Sequence, residues 1–347
     1  MILYRITEQE KDTLIPTRSD FGKILLLRHG HLTPKVRRDI SLSEVGELGE
    51  NKVVEILQEF GSKDWIYLKN VWLDKGGRYE SDLIVITKSG IYVFEIKNYD
   101  GHFEYENGNC RINNYDLSEN CIALTNRAYK KMQSICNDGF INAKVHGAII
   151  LIGEYNSVKI KSVISNIQVI ERSRLKSYIE NMLDKDRLFQ EQQVDINRLM
   201  QQLNHYCITD PFRFSPLSKD ELGDMRTGIY CARCHNFDLD IDKKDYVMCD
   251  CGMEESREEA LIRTICEYGV LTYNQTLNGM QILNFIDRQV SQSALYKILN
   301  MHYKKVNPQS RYGYINKNLP LDKLTSQFAI AKPKKLHLEK KSLIIYS

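Results

Sequence analysis

The sequence predicts an α/β fold: a core ordered helix, three strands, helix, strand (αβββαβ) around a mixed sheet, followed by a small cysteine-held module and a helical one. Three observations carry this expectation. Apolar residues recur at helical spacing in Val53, Val54, Ile56, Leu57 and Phe60, and the run stops at Gly61. Short β-branched and aromatic runs follow at Tyr67 to Leu73, Leu83 to Ile86 and Ile91 to Ile96, the last two joined by the short link Thr87-Lys-Ser-Gly90. A helical segment from about Ile122 to Ile135 then precedes the wholly apolar Ala148-Ile-Ile-Leu-Ile152, which reads as a buried central strand.

The elements are taken in order. Residues 1–41 have weak periodicity and read as a helical or irregular lead-in. Residues 42–208 form the first domain, opened by a helix whose start is marked by Ser43-Glu44 and Gly46-Glu47-Leu48-Gly49-Glu50. Two short strands, Phe103 to Tyr105 and Cys110 to Ile112, add a hairpin after Gly101. Residues 209–254 are a linker and cysteine module, residues 255–320 a helical domain, and residues 321–347 a basic tail.

Within the first domain the hairpin is the most telling stretch. With Lys88 and Ser89 as loop residues, Thr87 pairs with Gly90, and counting outward sets Asp82 opposite Glu95. Opposed residues have Cβ atoms roughly 5 Å apart, and the strand period of two puts Lys97 on the face of Glu95. Two carboxylates interrupting apolar strands repel each other unless a cation lies between them. A divalent cation beside a lysine is the apparatus of a metal-dependent nuclease: it generates hydroxide near neutral pH and neutralises charge on the pentavalent phosphate. Carboxylate oxygens select Mg²⁺ or Mn²⁺.

These residues resemble the NERD (nuclease-related) domain of the PD-(D/E)xK superfamily. The resemblance rests on Gly46-x-x-Gly49-Glu50, on Asp82 with the apolar strand after it, and on Phe94-Glu95-Ile96-Lys97-Asn98-Tyr99-Asp100-Gly101. It covers about residues 42–170 and implies a restriction-endonuclease-like core. It further implies that Glu50, Asp82 and Glu95 hold the metal or orient its water, and that Lys97 is the catalytic lysine. Glu47, one turn before Glu50, is the rival for its place, or a charge favoured by the helix dipole. Members of the family often carry Asn-Pro, two residues and Gln on the next helix. Here Asn120 is kept, Cys121 replaces the proline and Leu124 the glutamine. Arg127 nearby is either a DNA contact or a solvated helix arginine.

Cys231-Ala-Arg-Cys234, fourteen residues, then Cys249-Asp-Cys251 is the pattern of a zinc ribbon, four thiolates closing a structural Zn²⁺ site, with His235 as the alternative ligand. Four protein ligands leave no open position for catalysis. Three short apolar-faced helices follow, the third opened by Ser291. They read as a winged-helix-like module, with Gln292, Ser293 and Lys297 on the recognition helix and Arg311 in the wing, or else as a helical packing or dimerisation module.

Composition bounds the rest. The 347 residues are 42% hydrophobic and 27% charged, which excludes disorder, and the net charge of +3 does not by itself mark a nucleic-acid binder. From Met301 onward, however, ten basic residues face two acidic ones. No apolar run has the length of a membrane span, the start does not resemble a signal peptide, and nine cysteines fit reduced thiols, so a cytoplasmic protein is expected. The expected activity is Mg²⁺-dependent hydrolysis of nucleic acid, DNA before RNA, in restriction of foreign DNA, antiviral defence or repair. The alternative is a non-catalytic DNA-binding regulator or scaffold. The C-terminal module offers a surface for a second copy or a partner protein.

Overall fold

The structure, a computed structural model, describes residues 16–29, 32–117, 119–189, 191–241, 245–309 and 313–316. The described chain divides into two compact units, one spanning residues 42–212 and the other combining residues 16–41 with 213–316. The first is therefore inserted into the sequence of the second.

Helix α1 (Arg18–Arg28) belongs to the interrupted unit, and α2 (Pro34–Phe60) passes from it into the inserted one. The expected lead-in thus does not stand apart: Phe21, Ile24 and Leu25 of α1 bury with residues beyond Met225. The helix expected from Leu42 starts earlier, with Pro34 at its first position, where the missing N–H is not needed. Its apolar stripe is hard to read because it serves two cores, Ile40 in one and Val53, Val54 and Leu57 in the other.

In the inserted unit, β1 (Ile66–Asp74), β2 (Arg78–Ile86) and β3 (Gly90–Lys97) form an antiparallel meander. Next come β4 (Gly101–Glu106), β5 (Asn109–Ile112), β6 (Tyr115–Asp116), α3 (Cys121–Asp138), β7 (Lys144–Leu151), β8 (Asn156–Ile160), β9 (Ile167–Glu171), α4 (Arg172–Arg187) and α5 (Ile196–Tyr206). The main sheet is ordered β1-β2-β3-β7-β9, with β3, β7 and β9 parallel, so it is mixed. A second sheet, β6-β5-β4-β8, enlarges the expected β4–β5 hairpin by two strands, β8 parallel to β4 and β6 antiparallel to β5. Both faces of the main sheet are covered. Val53, Leu57 of α2 and Leu175, Ile179 of α4 pack on Leu83, Val85, Phe94 and Ile150. Ala128, Met132 and Ile135 of α3 and Leu199, Leu203 of α5 pack on Ile84, Ile86, Ile91 and Val93. This double coverage explains why β7 reads as a continuous apolar run.

The interrupted unit continues with α6 (Lys219–Gly223), β10 (Tyr246–Met248), β11 (Glu254–Ser256), α7 (Arg257–Leu271), β12 (Leu277–Asn278), α8 (Gly279–Phe285), α9 (Gln292–His302) and β13 (Gly313–Tyr314). β10 pairs with β11 and β12 with β13, both antiparallel. The cysteine module and the helices share one core, Val247 joining Ile265, Leu271, Ile282, Leu295 and Leu299. Arg28, fully buried, ties α1 to α7: its Nε and Nη2 donate to Glu267 at 2.9 and 2.7 Å, and its Nη1 to the carbonyls of Arg226 and Gly228. Arg311 and the basic tail, residues 321–347, lie outside the described residues.

Candidate active site

The β2–β3 ladder pairs Leu83 with Phe94, Ile84 with Val93, Val85 with Tyr92 and Ile86 with Ile91. One step further in that register sets Asp82 opposite Glu95. There the strands part: the Ile96 N–H donates to Asp82 Oδ2 at 2.6 Å, so the carboxylate takes the place of a main-chain acceptor. Lys97 Nζ lies 2.7 Å from Glu95 Oε1. Burial pushes the Asp82 pKa well above the ordinary carboxylate range, and the charges of Glu95 and Glu50 push it further. Burial alone would lower the Lys97 pKa, but the carboxylates of Glu95 and Asp82 outweigh it and hold it raised. The lysine therefore stays cationic between them.

Glu50 comes from α2. Its helix reaches the sheet because position 49 is glycine: a Cβ there would lie 2.7 Å from Asn98 Cβ and 3.1 Å from Ile152 Cγ2. Asn98, just after Lys97, donates from Nδ2 to the Val45 carbonyl at 2.9 Å and locks the same approach. Glu50 Oε2 sits 3.7 Å from Lys69 Nζ and, although buried, accepts no hydrogen bond. Burial raises the Glu50 pKa, Lys69 opposes the rise and the charge of Glu47 adds to it. A buried carboxylate oxygen without a donor, beside an aspartate held back from ionising, is what a divalent cation would satisfy, and the all-oxygen donor set suits Mg²⁺ or Mn²⁺. The residues fit the ion. Their oxygens do not close into a tight cage: among the described residues, the cysteines are the group of three or more donors lying within 4.8 Å of one another.

Those donors are Cys231, Cys234, Cys249 and Cys251, with Sγ–Sγ distances of 3.5 Å for Cys231 and Cys251 and 3.4 Å for Cys234 and Cys249. Thiolates at tetrahedral Zn–S bonds of about 2.3 Å stand roughly 3.8 Å apart, so the cluster fits a zinc-ribbon-like knuckle and could hold that ion. Turns at His235 (φ 61°) and Gly252 (φ 79°) fold the two short loops, and the Arg233 N–H donates to Cys231 Sγ at 3.4 Å. The His235 ring instead meets Tyr230 edge to face, with centroids 5.8 Å apart.

Of the other expected residues, Arg127 lies exposed on α3, whose buried face is Cys121, Ile122, Thr125, Ala128, Met132 and Ile135. Cys121 Sγ lies 3.6 Å from Cys110 Sγ. Gln292, Ser293 and Lys297 are exposed on α9, which Ser291 caps by accepting from the Ala294 N–H, while Leu295, Ile298 and Leu299 face inward. Sequence reasoning missed Lys69 and Asn98. The motif Glu-Ile-Lys-Asn was the signal available for Asn98; Lys69 is an ordinary residue of a strand and carries none.

Among the described residues no helix is long and apolar enough to cross a membrane. Comparison with curated proteins and with solved structures gives no match. Residues 45–152 match the family model described as the nuclease-related domain, NERD, and these are the residues that bring Glu50, Asp82, Glu95 and Lys97 together.

Proposed function

We propose that the protein is a metal-dependent nuclease that hydrolyses phosphodiester bonds in DNA. The observation that carries this is the convergence of Asp82, Glu95 and Glu50 with a cationic Lys97 where β2 and β3 part. Asp82, Glu95 and Glu50 would hold Mg²⁺ or Mn²⁺, which supplies an acidified water and offsets the charge that develops on the phosphate. The chain's own contributions are positional. The Ile96 N–H fixes Asp82, Gly49 and Asn98 seat Glu50, and the cationic Lys97 Nζ would donate to a phosphate oxygen as charge builds there. The four cysteines hold a structural Zn²⁺. The order α7, β12, α8, α9, β13, with β12 paired to β13 and a Lys305–Tyr314 bridge, supports a winged-helix-like module. It presents Gln292, Ser293 and Lys297 to nucleic acid, with Arg127 and Arg311 as further contacts or, through the same module, to a second copy. A nuclease with these parts suits restriction of foreign DNA, antiviral defence or repair in the cytoplasm.

The test is incubation of the full chain with circular DNA, linear DNA and single-stranded RNA, with Mg²⁺, with Mn²⁺ and without added ion. Cutting of DNA that needs the ion and is lost in Asp82→Ala/Lys97→Ala is expected. Retardation of DNA in a gel with no cleavage would replace the enzyme by a DNA-binding regulator, the role that Leu124 in place of the family glutamine would suit.

A further inference from the structure

Asn70 lies in the middle of β1 with φ 51°, in the left-handed region that a non-glycine residue seldom enters within a strand. The β1–β2 pairing runs Lys69 to Leu83 and then Val71 to Ser81, in the same register on either side, so no residue is inserted and Asn70 stands opposite Asp82. The faces nevertheless change there. Leu68, Val71 and Leu73 all bury in the core beneath α3, as do Tyr79, Ile84 and Ile86 of β2. In a regular strand Leu68 and Val71 would point to opposite faces. The two strands turn over together at Asn70 and Asp82. Asn70 is exposed, so core packing does not impose its backbone, and asparagine is among the few residues that adopt it readily. The residue before it, Lys69, brings its Nζ to 3.7 Å from Glu50 Oε2, which sets this turn of β1 beside that carboxyl, and the Asn70 side chain acts with Lys69 to oppose the raised Glu50 pKa.

We propose that Asn70 is the positioning residue of the carboxylate site: its left-handed backbone releases Asp82 from the β1–β2 ladder, and its amide orients Glu50. This rests on the metal-dependent reading above. Partners that orient a metal ligand in this way typically change affinity 10–100-fold.

The test compares the zinc-replete full chain with Asn70→Gly, which keeps the left-handed backbone and removes only the amide, and with Asn70→Val, which demands an extended backbone. Mn²⁺ binding is measured by calorimetry, with Asp82→Ala as the blank, alongside melting temperature and, where cleavage is seen, kcat and KM. Asn70→Gly should weaken Mn²⁺ at least tenfold at a melting temperature near wild type and lower kcat more than KM rises. Asn70→Val should lose both affinity and stability. Wild-type Mn²⁺ affinity in Asn70→Gly would overturn the role of the amide, and wild-type behaviour of Asn70→Val the role of the backbone, both leaving the nuclease reading intact. A wild-type chain that neither binds Mn²⁺ nor cleaves would overturn that reading and this proposal with it.

Discussion

Gly46 and Gly49 lie three residues apart on α2, yet the same substitution should move stability in opposite directions. Replacing glycine by alanine inside a helix gains about 0.5–1 kcal/mol through helix propensity. At Gly46 nothing lies within 4 Å of the added Cβ, so Gly46→Ala should keep that gain. At Gly49 the Cβ would stand 2.7 Å from Asn98 Cβ, 3.1 Å from Ile152 Cγ2 and 3.2 Å from Asn98 Cγ. Relieving such overpacking costs about 1–3 kcal/mol, and a shift of Asn98 that breaks its bond to Val45 costs about 0.5–1.5 kcal/mol more. The two variants should therefore differ by about 1.5–4.5 kcal/mol, with Gly49→Ala the weaker. Both tryptophans, Trp65 and Trp72, lie in the inserted unit, so urea unfolding followed by tryptophan fluorescence reads its stability directly. Because Gly49 seats Glu50, Gly49→Ala should also weaken Mn²⁺ binding while Gly46→Ala leaves it unchanged. Equal stabilisation by both substitutions, with Mn²⁺ affinity untouched, would refute the claim that close approach of α2 builds the site.

Arg28→Met should destabilise the interrupted unit by about 3–5 kcal/mol, because it leaves Glu267 buried with its main charge partner gone; denaturant unfolding followed by circular dichroism would measure it. Cys234→Ser should reduce bound zinc, measured by elemental analysis, and lower the melting temperature, since the three remaining thiolates no longer close the site. His146, stacked on Tyr92 at 4.6 Å, has its pKa pushed down to about 4 by burial and by the charges of Lys185 and Lys144. The unfolded chain then takes up the proton first, so stability should fall as pH drops from about 6.5 towards 4, and His146→Leu should flatten that part of a stability profile. Partial exposure of the ring screens this effect and keeps it small.

The hairpin was legible because a short link fixes register, and register fixes which residues oppose each other across the pair; Asp82, Glu95 and Lys97 follow from that alone. The cysteines were legible because metal chemistry dictates spacing. The start of α2 was not, since Ile40 and Val53 answer to different cores and no single stripe runs through the helix. Nor was β8, whose Asn156–Ile160 is mostly solvent-facing and finds its partner β4 more than fifty residues away. Asn70 was hidden for another reason: a lone left-handed asparagine has no periodicity, and its meaning lies in what stands opposite it.

The interruption of one unit by the other sets a timetable for synthesis. Arg28 leaves the ribosome early, but Glu267 follows it by 239 positions, and the partner carbonyls of Arg226 and Gly228 by about two hundred. At about 5–20 residues per second the guanidinium waits roughly 10–50 s for its acceptors. In that interval residues 42–212 emerge whole, with every strand of their sheet, and can fold while Phe21, Ile24 and Leu25 of α1 still lack the core they will enter. On the nascent chain the inserted unit can thus mature before the interrupted one, and α1 is the segment for which a chaperone would have most use.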